Sequence, residues 1–335
     1  MSRIEEKFLL RCKNRQFLPD VVPLAVPFVL FIEPTNICNF ECAFCPTGNK
    51  ELLRQVNRRN MFMQLELFKK IVDDLKEFPD KLKLINLWKD GESLLHPEFP
   101  EMCEYLGKAG VAEKIKIRTN GTLLEKELNR RLIASGVSEI GISVEAVSDE
   151  KYFALTKRKV SYKKLVSQVR ELYRMREGCK IFVKIVDVDL SDDEKERFYN
   201  DFDEISDICV IEHLMGWSGE NGENFKMGRN NGLGQDGNKL NQIDVCTLPF
   251  TCMALNCDGS ASVCCADWMH KTVVGNVKEN SVSEIWHGEA LKQFRLMHLK
   301  HCRSSNEACG KCDFIHQGVD SVDGYEDKII QRILS

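Results

Sequence analysis

The chain has 335 residues, 43% hydrophobic and 29% charged, enough to bury one large core or one large and one small. Its net charge of -4 offers no electrostatic footprint for nucleic acid, and no apolar run approaches the roughly 18 residues that a membrane helix needs. The N-terminus is charged and lacks a signal-peptide core, so a soluble cytoplasmic protein with neither nucleic acid nor membrane as partner is expected.

Residues 1–28 read as an N-terminal extension. From 29 to 217, short apolar runs at 29–32, 82–87, 114–118, 139–144, 181–186 and 209–214 read as strands. Between them, sets such as Leu65, Phe68, Ile71, Val72 and Leu75, or Leu165, Val169 and Leu172, fall at helical spacing. Strands alternating with helices imply right-handed crossovers and a parallel sheet. The fold class is therefore α/β, with six strands giving an incomplete, TIM-like (β/α)6 barrel. Residues 218–245, rich in Gly and Asn up to 241, read as a linker loop. Residues 246–320 read as a small, separate, cysteine-rich α+β domain, and 321–335 as a C-terminal helix. Within the small domain Asp258-Gly259 reads as a hairpin turn, Gly275-Asn276-Val277 as a turn, and 283–299 as a helix capped by Ser283.

Fifteen cysteines, an odd number gathered mostly at 38–45 and 246–312, suit metal binding better than a disulfide framework. Cys12, Cys103, Cys179 and Cys209 lie in apolar or helical stretches and read as buried packing residues. Cys38, Cys42 and Cys45 follow the first strand as C-x3-C-x2-C. A zinc ion or a cubane cluster takes four ligands, so three thiolates leave one position open unless a distant Cys or His completes a zinc knuckle. The position after a strand places them at the carboxyl mouth of the barrel, where parallel α/β folds gather their active sites. The same mouth receives Asp90-Gly91-Glu92, Thr119-Asn120-Gly121-Thr122 and Ser143-Val144-Glu145, small and polar loops suited to a cofactor with an amine and a ribose. Asn120-Gly121 also reads as a simple turn, Glu145 as a helix-start carboxylate, and Lys157, Arg158 and Lys159 as a solvated face from which Arg158 could meet a substrate anion.

On these residues the chain resembles the radical S-adenosylmethionine (SAM) enzymes. The resemblance covers about 29–217: Cys38, Cys42 and Cys45 stand where the family holds a 4Fe-4S cluster, with Phe44 at its aromatic position. It implies that SAM closes the open iron, that Gly91 and Glu92 meet its methionyl amine, and that Asn120, Ser143 and Glu145 stand at ribose or carboxylate contacts. The family's Gly-Gly-Glu-Pro pattern is here Asp90-Gly91-Glu92-Ser93.

Cys246, Cys264 and the C-x2-C pair Cys309 and Cys312 can supply four thiolates to one cluster or one zinc. Cys265 would point to the opposite face of an extended strand from Cys264, and Cys302 is a possible substitute ligand. The segment resembles the auxiliary-cluster domains called SPASM or, shortened, twitch. No cysteine follows Cys312, so one auxiliary cluster is expected, making two 4Fe-4S clusters in all.

In the family an electron from a reductant such as flavodoxin or ferredoxin generates a 5′-deoxyadenosyl radical that abstracts hydrogen from carbon. A closed second cluster suits electron uptake, as in 2-deoxy-scyllo-inosamine dehydrogenase, which the single-cluster arrangement resembles. The expected activity is that of a radical oxidoreductase, dehydrogenase-like, oxidising a small-molecule alcohol (a sugar, nucleotide sugar or cyclitol) to a ketone. The alternatives are a peptide maturase or sulfatase activator, and an epimerase in which Cys257 or Cys265 returns a hydrogen. Against the maturase stands an N-terminal stretch of 28 residues, too short for a leader-binding domain. Glu145, Lys184, Asp187, His213 and Asp267 are the candidate bases.

Overall fold

The computed structural model describes residues 16–216, 227, 232–318 and 320–335; Cys12, Trp217 and most of 218–231 lie outside them. Six parallel strands run β1 (Val29–Ile32), β2 (Leu84–Asn86), β3 (Ile115–Thr119), β4 (Glu139–Val144), β5 (Lys180–Val186) and β6 (Ile208–Glu212), each paired with the next. The longer intervening helices are α1 (Leu65–Asp74), α2 (Phe99–Ala109), α3 (Lys126–Ala134), α4 (Asp149–Thr156), α5 (Tyr162–Met175) and α6 (Asp192–Phe202). Strands covered by crossover helices read as apolar runs, and β4 at the centre buries every residue but Ser143. This is the partial barrel expected from the alternation of strand and helix signals.

The sheet does not end at β1. A seventh strand, β7 (Cys252–Leu255), pairs parallel with β1, and β8 (Ser260–Ser262) and β9 (Val273–Asn276) follow antiparallel. The cysteine-rich segment therefore continues the barrel sheet, and one core runs from Leu30 through Met253 and Leu255 to Trp286. Asp258-Gly259 forms the expected tight turn, with Gly259 at φ +94°. Gly275 and Asn276 lie in β9 itself, and the turn comes after them. The expected helix over 283–299 is two helices, α7 (Val282–His287) and α8 (Glu289–Leu299), separated by Gly288 in extended conformation. Its cap is Ser281, which exchanges a capping box with Glu284, and not Ser283.

A second, smaller core joins the two ends of the described chain. Leu18 and Val22 pack with Val245, Phe250, Leu299 and Ile329, the last from helix α9 (Glu326–Leu334).

The two halves of the sheet also meet through charge. Glu33, at the end of β1, accepts from the backbone N–H of Cys257 at 3.1 Å and faces Arg58 Nη2 at 3.5 Å. Arg58 Nη1 donates to Asp90 and to the carbonyl of Trp268, both at 2.9 Å. Lys89 Nζ donates to Asp90 at 2.7 Å and to the carbonyl of Asp267 at 3.1 Å. All four side chains are at most 5% exposed. Burial is the largest single effect and would discharge Lys89 and Asp90, but the surrounding charges together outweigh it: Asp90 and Glu33 leave the Lys89 pKa raised, and Lys89 and Arg58 leave the Asp90 pKa lowered. Arg58→Met, which leaves two buried carboxylates facing Lys89 alone, should cost about 3–5 kcal/mol, read as a fall in the denaturant midpoint at unchanged slope.

Candidate active site

The carboxyl ends of the barrel strands surround a cavity of about 260 Å³. Its wall carries Cys38, Cys42 and Cys45 together with Phe44, Gly91, Glu92, Asn120, Ser143, Glu145 and Lys184. Residues on or just beyond β1, β2, β3, β4 and β5 thus reach one space, as the strand-end positions of these candidates require. Trp88, Lys89, Arg118 and Thr47 also line it, and sequence reading passed over them.

The cysteine loop is held from three sides. Ala43 and Glu41, flanking Cys42, donate backbone N–H groups to Leu155 at 3.2 Å and Thr156 at 2.9 Å. Gly48 lies so close to the carbonyl of Cys42 that a Cβ there would stand 2.3 Å away. Thr47 Oγ1 is 2.8 Å from Cys45 Sγ and donates to the carbonyl of Asp90 at 2.9 Å, tying this loop to the next. Gly91 packs against the chain before Cys38, where a Cβ would meet Thr35 O at 2.3 Å and Ile37 O at 2.7 Å. The departure from Gly-Gly-Glu-Pro has a physical role here: Asp90 enters the buried charge network, and Ser93 Oγ donates to Leu87 O at 3.0 Å.

Glu92 is buried and fastens neighbouring loops, accepting from the backbone N–H of Asn120 at 2.6 Å and of Leu94 at 3.1 Å. The Thr119 hydroxyl donates to it as well, which still leaves one of the carboxylate's four lone pairs for a ligand. Asn120 also donates to Asn39 at 2.7 Å, so its turn is stitched to the cysteine loop. Glu145 is pushed up to about 7 by burial, with Lys184 opposing and Glu92 adding to the rise. Lys184 Nζ donates to Glu212 at 2.8 Å. Arg118 crosses β4 at Gly141, where any Cβ would collide with its guanidinium, and lies 4.1 Å over the Phe182 ring.

Three candidate bases, Asp187, His213 and Asp267, go elsewhere. His213 pairs with Asp187 and donates its backbone N–H to Gln235 at 3.0 Å, outside the cavity lining. Asp267 spends both oxygens on Lys271 N, Thr272 N and Thr272 Oγ1 at 2.7–3.0 Å, pinning its own loop. Neither Cys257 nor Cys265, the possible hydrogen donors of an epimerase, lines the cavity.

The second set of thiols also converges. Cys246, Cys264, Cys309 and Cys312 line one pocket with Leu248, Pro249, Val263 and Ile315. Asn306 caps the turn bearing Cys309, accepting from Ala308 N at 3.0 Å and Cys309 N at 3.2 Å, and Arg303 donates to the carbonyls of Cys309 and Cys312. Cys302 is exposed, and Cys252 and Cys265 do not line this pocket.

The family model of the radical SAM superfamily matches residues 32–199, and that of the SPASM iron-sulfur cluster-binding domain matches 246–313. The chain is 35% identical over 118 residues to a tungsten-containing aldehyde ferredoxin oxidoreductase cofactor-modifying protein of Pyrococcus furiosus, covering 35% of this chain and 31% of that one. Matches to two further curated relatives cover 49% and 30% of those proteins, so the chain spans a third to a half of them. A GTP 3′,8-cyclase of Aquifex aeolicus is 27% identical over 295 residues, covering 77% of this chain and 88% of that one. Among solved structures, BtrN in complex with AdoMet and 2-DOIA shares the fold, with TM-score 0.56 and 18% identity over 86% of this chain and 93% of that one.

The cofactors that accompany these two domains are SAM and two 4Fe-4S clusters. Both sites fit them. Burial raises every thiol, Cys38 and Cys246 to about 12, so the thiolates need a cation to form. At the second pocket His298 is buried with neither ring nitrogen hydrogen-bonded in the protein, and burial with Arg303 nearby lowers its pKa to about 4. Its one N–H would find an acceptor in a cluster sulfur.

Anaerobically reconstituted protein should carry about eight irons, and a Cys38, Cys42, Cys45 triple Ala variant about four, by iron assay. Gly91→Ala should lose at least about tenfold in SAM affinity by displacing the cysteine loop, measured by equilibrium dialysis, a loss of about 1.4 kcal/mol at minimum. With its first family model spanning half of its length and its thiols gathered at the barrel mouth, the chain belongs to the radical SAM superfamily and carries a C-terminal SPASM domain.

Proposed function

We propose that this chain is a radical SAM dehydrogenase that oxidises a secondary alcohol of a sugar, nucleotide sugar or cyclitol to a ketone. The observation that carries this reading is a short polar route from the open three-thiol site to the closed four-thiol pocket. It passes from Cys45 Sγ to Thr47 Oγ1, to the carbonyl of Asp90, through the Asp90 side chain to Lys89 Nζ, and on to the carbonyl of Asp267, which lines the second pocket.

In this reading Cys38, Cys42 and Cys45 hold the first cluster, and Cys246, Cys264, Cys309 and Cys312 the second. Phe44, Gly91, Glu92, Asn120 and Ser143 surround SAM. When bound, the cofactors supply a radical that removes one hydrogen atom from the carbinol carbon and a closed cluster that takes up one electron. The remaining demand is for a group that accepts the hydroxyl proton. Glu145 suits it: it lines the cavity, and a carboxylate whose pKa is about 7 is matched to proton transfer at neutral pH. Lys184 and Arg118 give the same wall two cations, suited to hydroxyl groups or a phosphate.

Relatives bearing the names of a cyclase and a cofactor-modifying protein match parts of this chain, so the product decides. Incubation with SAM, a low-potential reductant and a panel of cyclitols and nucleotide sugars should give 5′-deoxyadenosine and ketone in equal amounts. A cyclised or rearranged product, or solvent deuterium returned to carbon, contradicts the proposal. Glu145→Gln should lower ketone formation by about 10²–10⁴-fold while SAM cleavage continues.

A further inference from the structure

The run Lys157-Arg158-Lys159 is not used by the chemistry above, yet it sits against the first cysteine loop. It follows α4 directly, with Lys157 closing the helix at φ +58°, and all three residues are exposed. The carbonyls of Leu155 and Thr156, at the last turn of that helix, are those that accept the N–H groups of Ala43 and Glu41 on either side of Cys42. The surface run is thus one hydrogen bond away from the backbone that bears a proposed cluster ligand.

Three further features gather there. Arg158 and Lys50 both bind Glu41, at 3.0 and 2.6 Å, so a fourth cation joins the run across the cysteine loop and one carboxylate stands among them. Phe153, on the same helix, is 51% exposed. A concavity of about 390 Å³, lined by Asn39, Phe40, Thr122, Arg158, Lys159 and Val160, opens beside the loop. A helix C-terminus attracts cations, which accounts for one of them. It does not account for three in succession and a fourth across the loop, or for the exposed Phe153 ring four residues before Lys157. Four cations against one carboxylate, beside an exposed apolar ring, suit the steering and seating of an acidic partner.

We propose that this surface docks the electron donor, a small acidic carrier protein of low potential. One electron leaves the carrier and one enters the first cluster through the Cys42 side of the loop, with no atom transferred. The proposal rests on the superfamily's need for an electron and holds whatever the final product is.

The test uses reduced flavodoxin as the probe and has two readouts, its Kd for the protein by calorimetry, which should weaken about tenfold or more when Lys157 and Lys159 are both changed to Glu, and 5′-deoxyadenosine release from SAM without substrate. It therefore does not depend on the dehydrogenase reading. In the wild type the flavodoxin-driven rate at limiting carrier should fall about tenfold or more when ionic strength rises from about 0.05 to 0.5 M. Lys157→Glu with Lys159→Glu should lower it by at least about tenfold at low salt, and Lys157→Gln with Lys159→Gln by an intermediate factor. The rate with dithionite, which needs no docking face, should stay within about twofold in both variants by the same steering argument. A flavodoxin-driven rate that is independent of salt, or variants that slow equally with both reductants, would overturn the proposal.

Discussion

Two buried anions facing two buried cations hold the mouth of the barrel to the C-terminal segment. Glu33 leaves β1, Asp90 and Lys89 leave β2, Arg58 comes from the loop between them, and the carbonyls of Asp267 and Trp268 close the network from the far side. Such a group stabilises little against an apolar replacement, yet breaking one member strands the others without water. Its value lies in specifying one arrangement. Asp90 sets the carbonyl that Thr47 binds and precedes the glycine that packs on Thr35, so the first cysteine loop, the Gly91-Glu92 loop and the second thiol pocket share one reference frame.

That frame gives each thiol set its character. The first lies on an open cavity whose wall also carries Glu92, Asn120, Ser143, Glu145 and Lys184, and it provides three sulfurs, so an iron held there keeps a position for another ligand. The second has four sulfurs within an apolar lining, with Arg303 and His298 at its edge. The two thiol sites are thereby separated in space but connected through Lys89. The one continuous sheet, in which β7 lies directly beside β1, keeps that separation constant.

Much of this was legible in the chain. The six barrel strands announced themselves as apolar runs between amphipathic stretches, and β4 falls on 139–144 as expected. Thiol spacing pointed to two groups, and four cysteines spread from 246 to 312 reach one pocket. What escaped has physical causes. Pairing of β7 with β1 joins residues more than 200 positions apart, and no local pattern encodes it. Arg58 and Lys89 were passed over because charge carries no sign of burial until its partner is known. Arg118 needed Gly141 on the neighbouring strand to make room for it. His213 and Asp267 have the right chemistry for a base, but local partners consume them. The cap of α7 did leave a signal: Ser281 stands three residues before Glu284, whereas Ser283 stands three before Trp286.

The central claim is that the chain holds one cluster open to SAM and one closed to it. Electron paramagnetic resonance of the reduced protein, recorded with and without SAM, tests it directly. The account predicts two cluster signals, of which SAM alters only the one missing from the protein without Cys38, Cys42 and Cys45. A spectrum in which SAM alters the signal that survives in that variant, or alters neither, would contradict it.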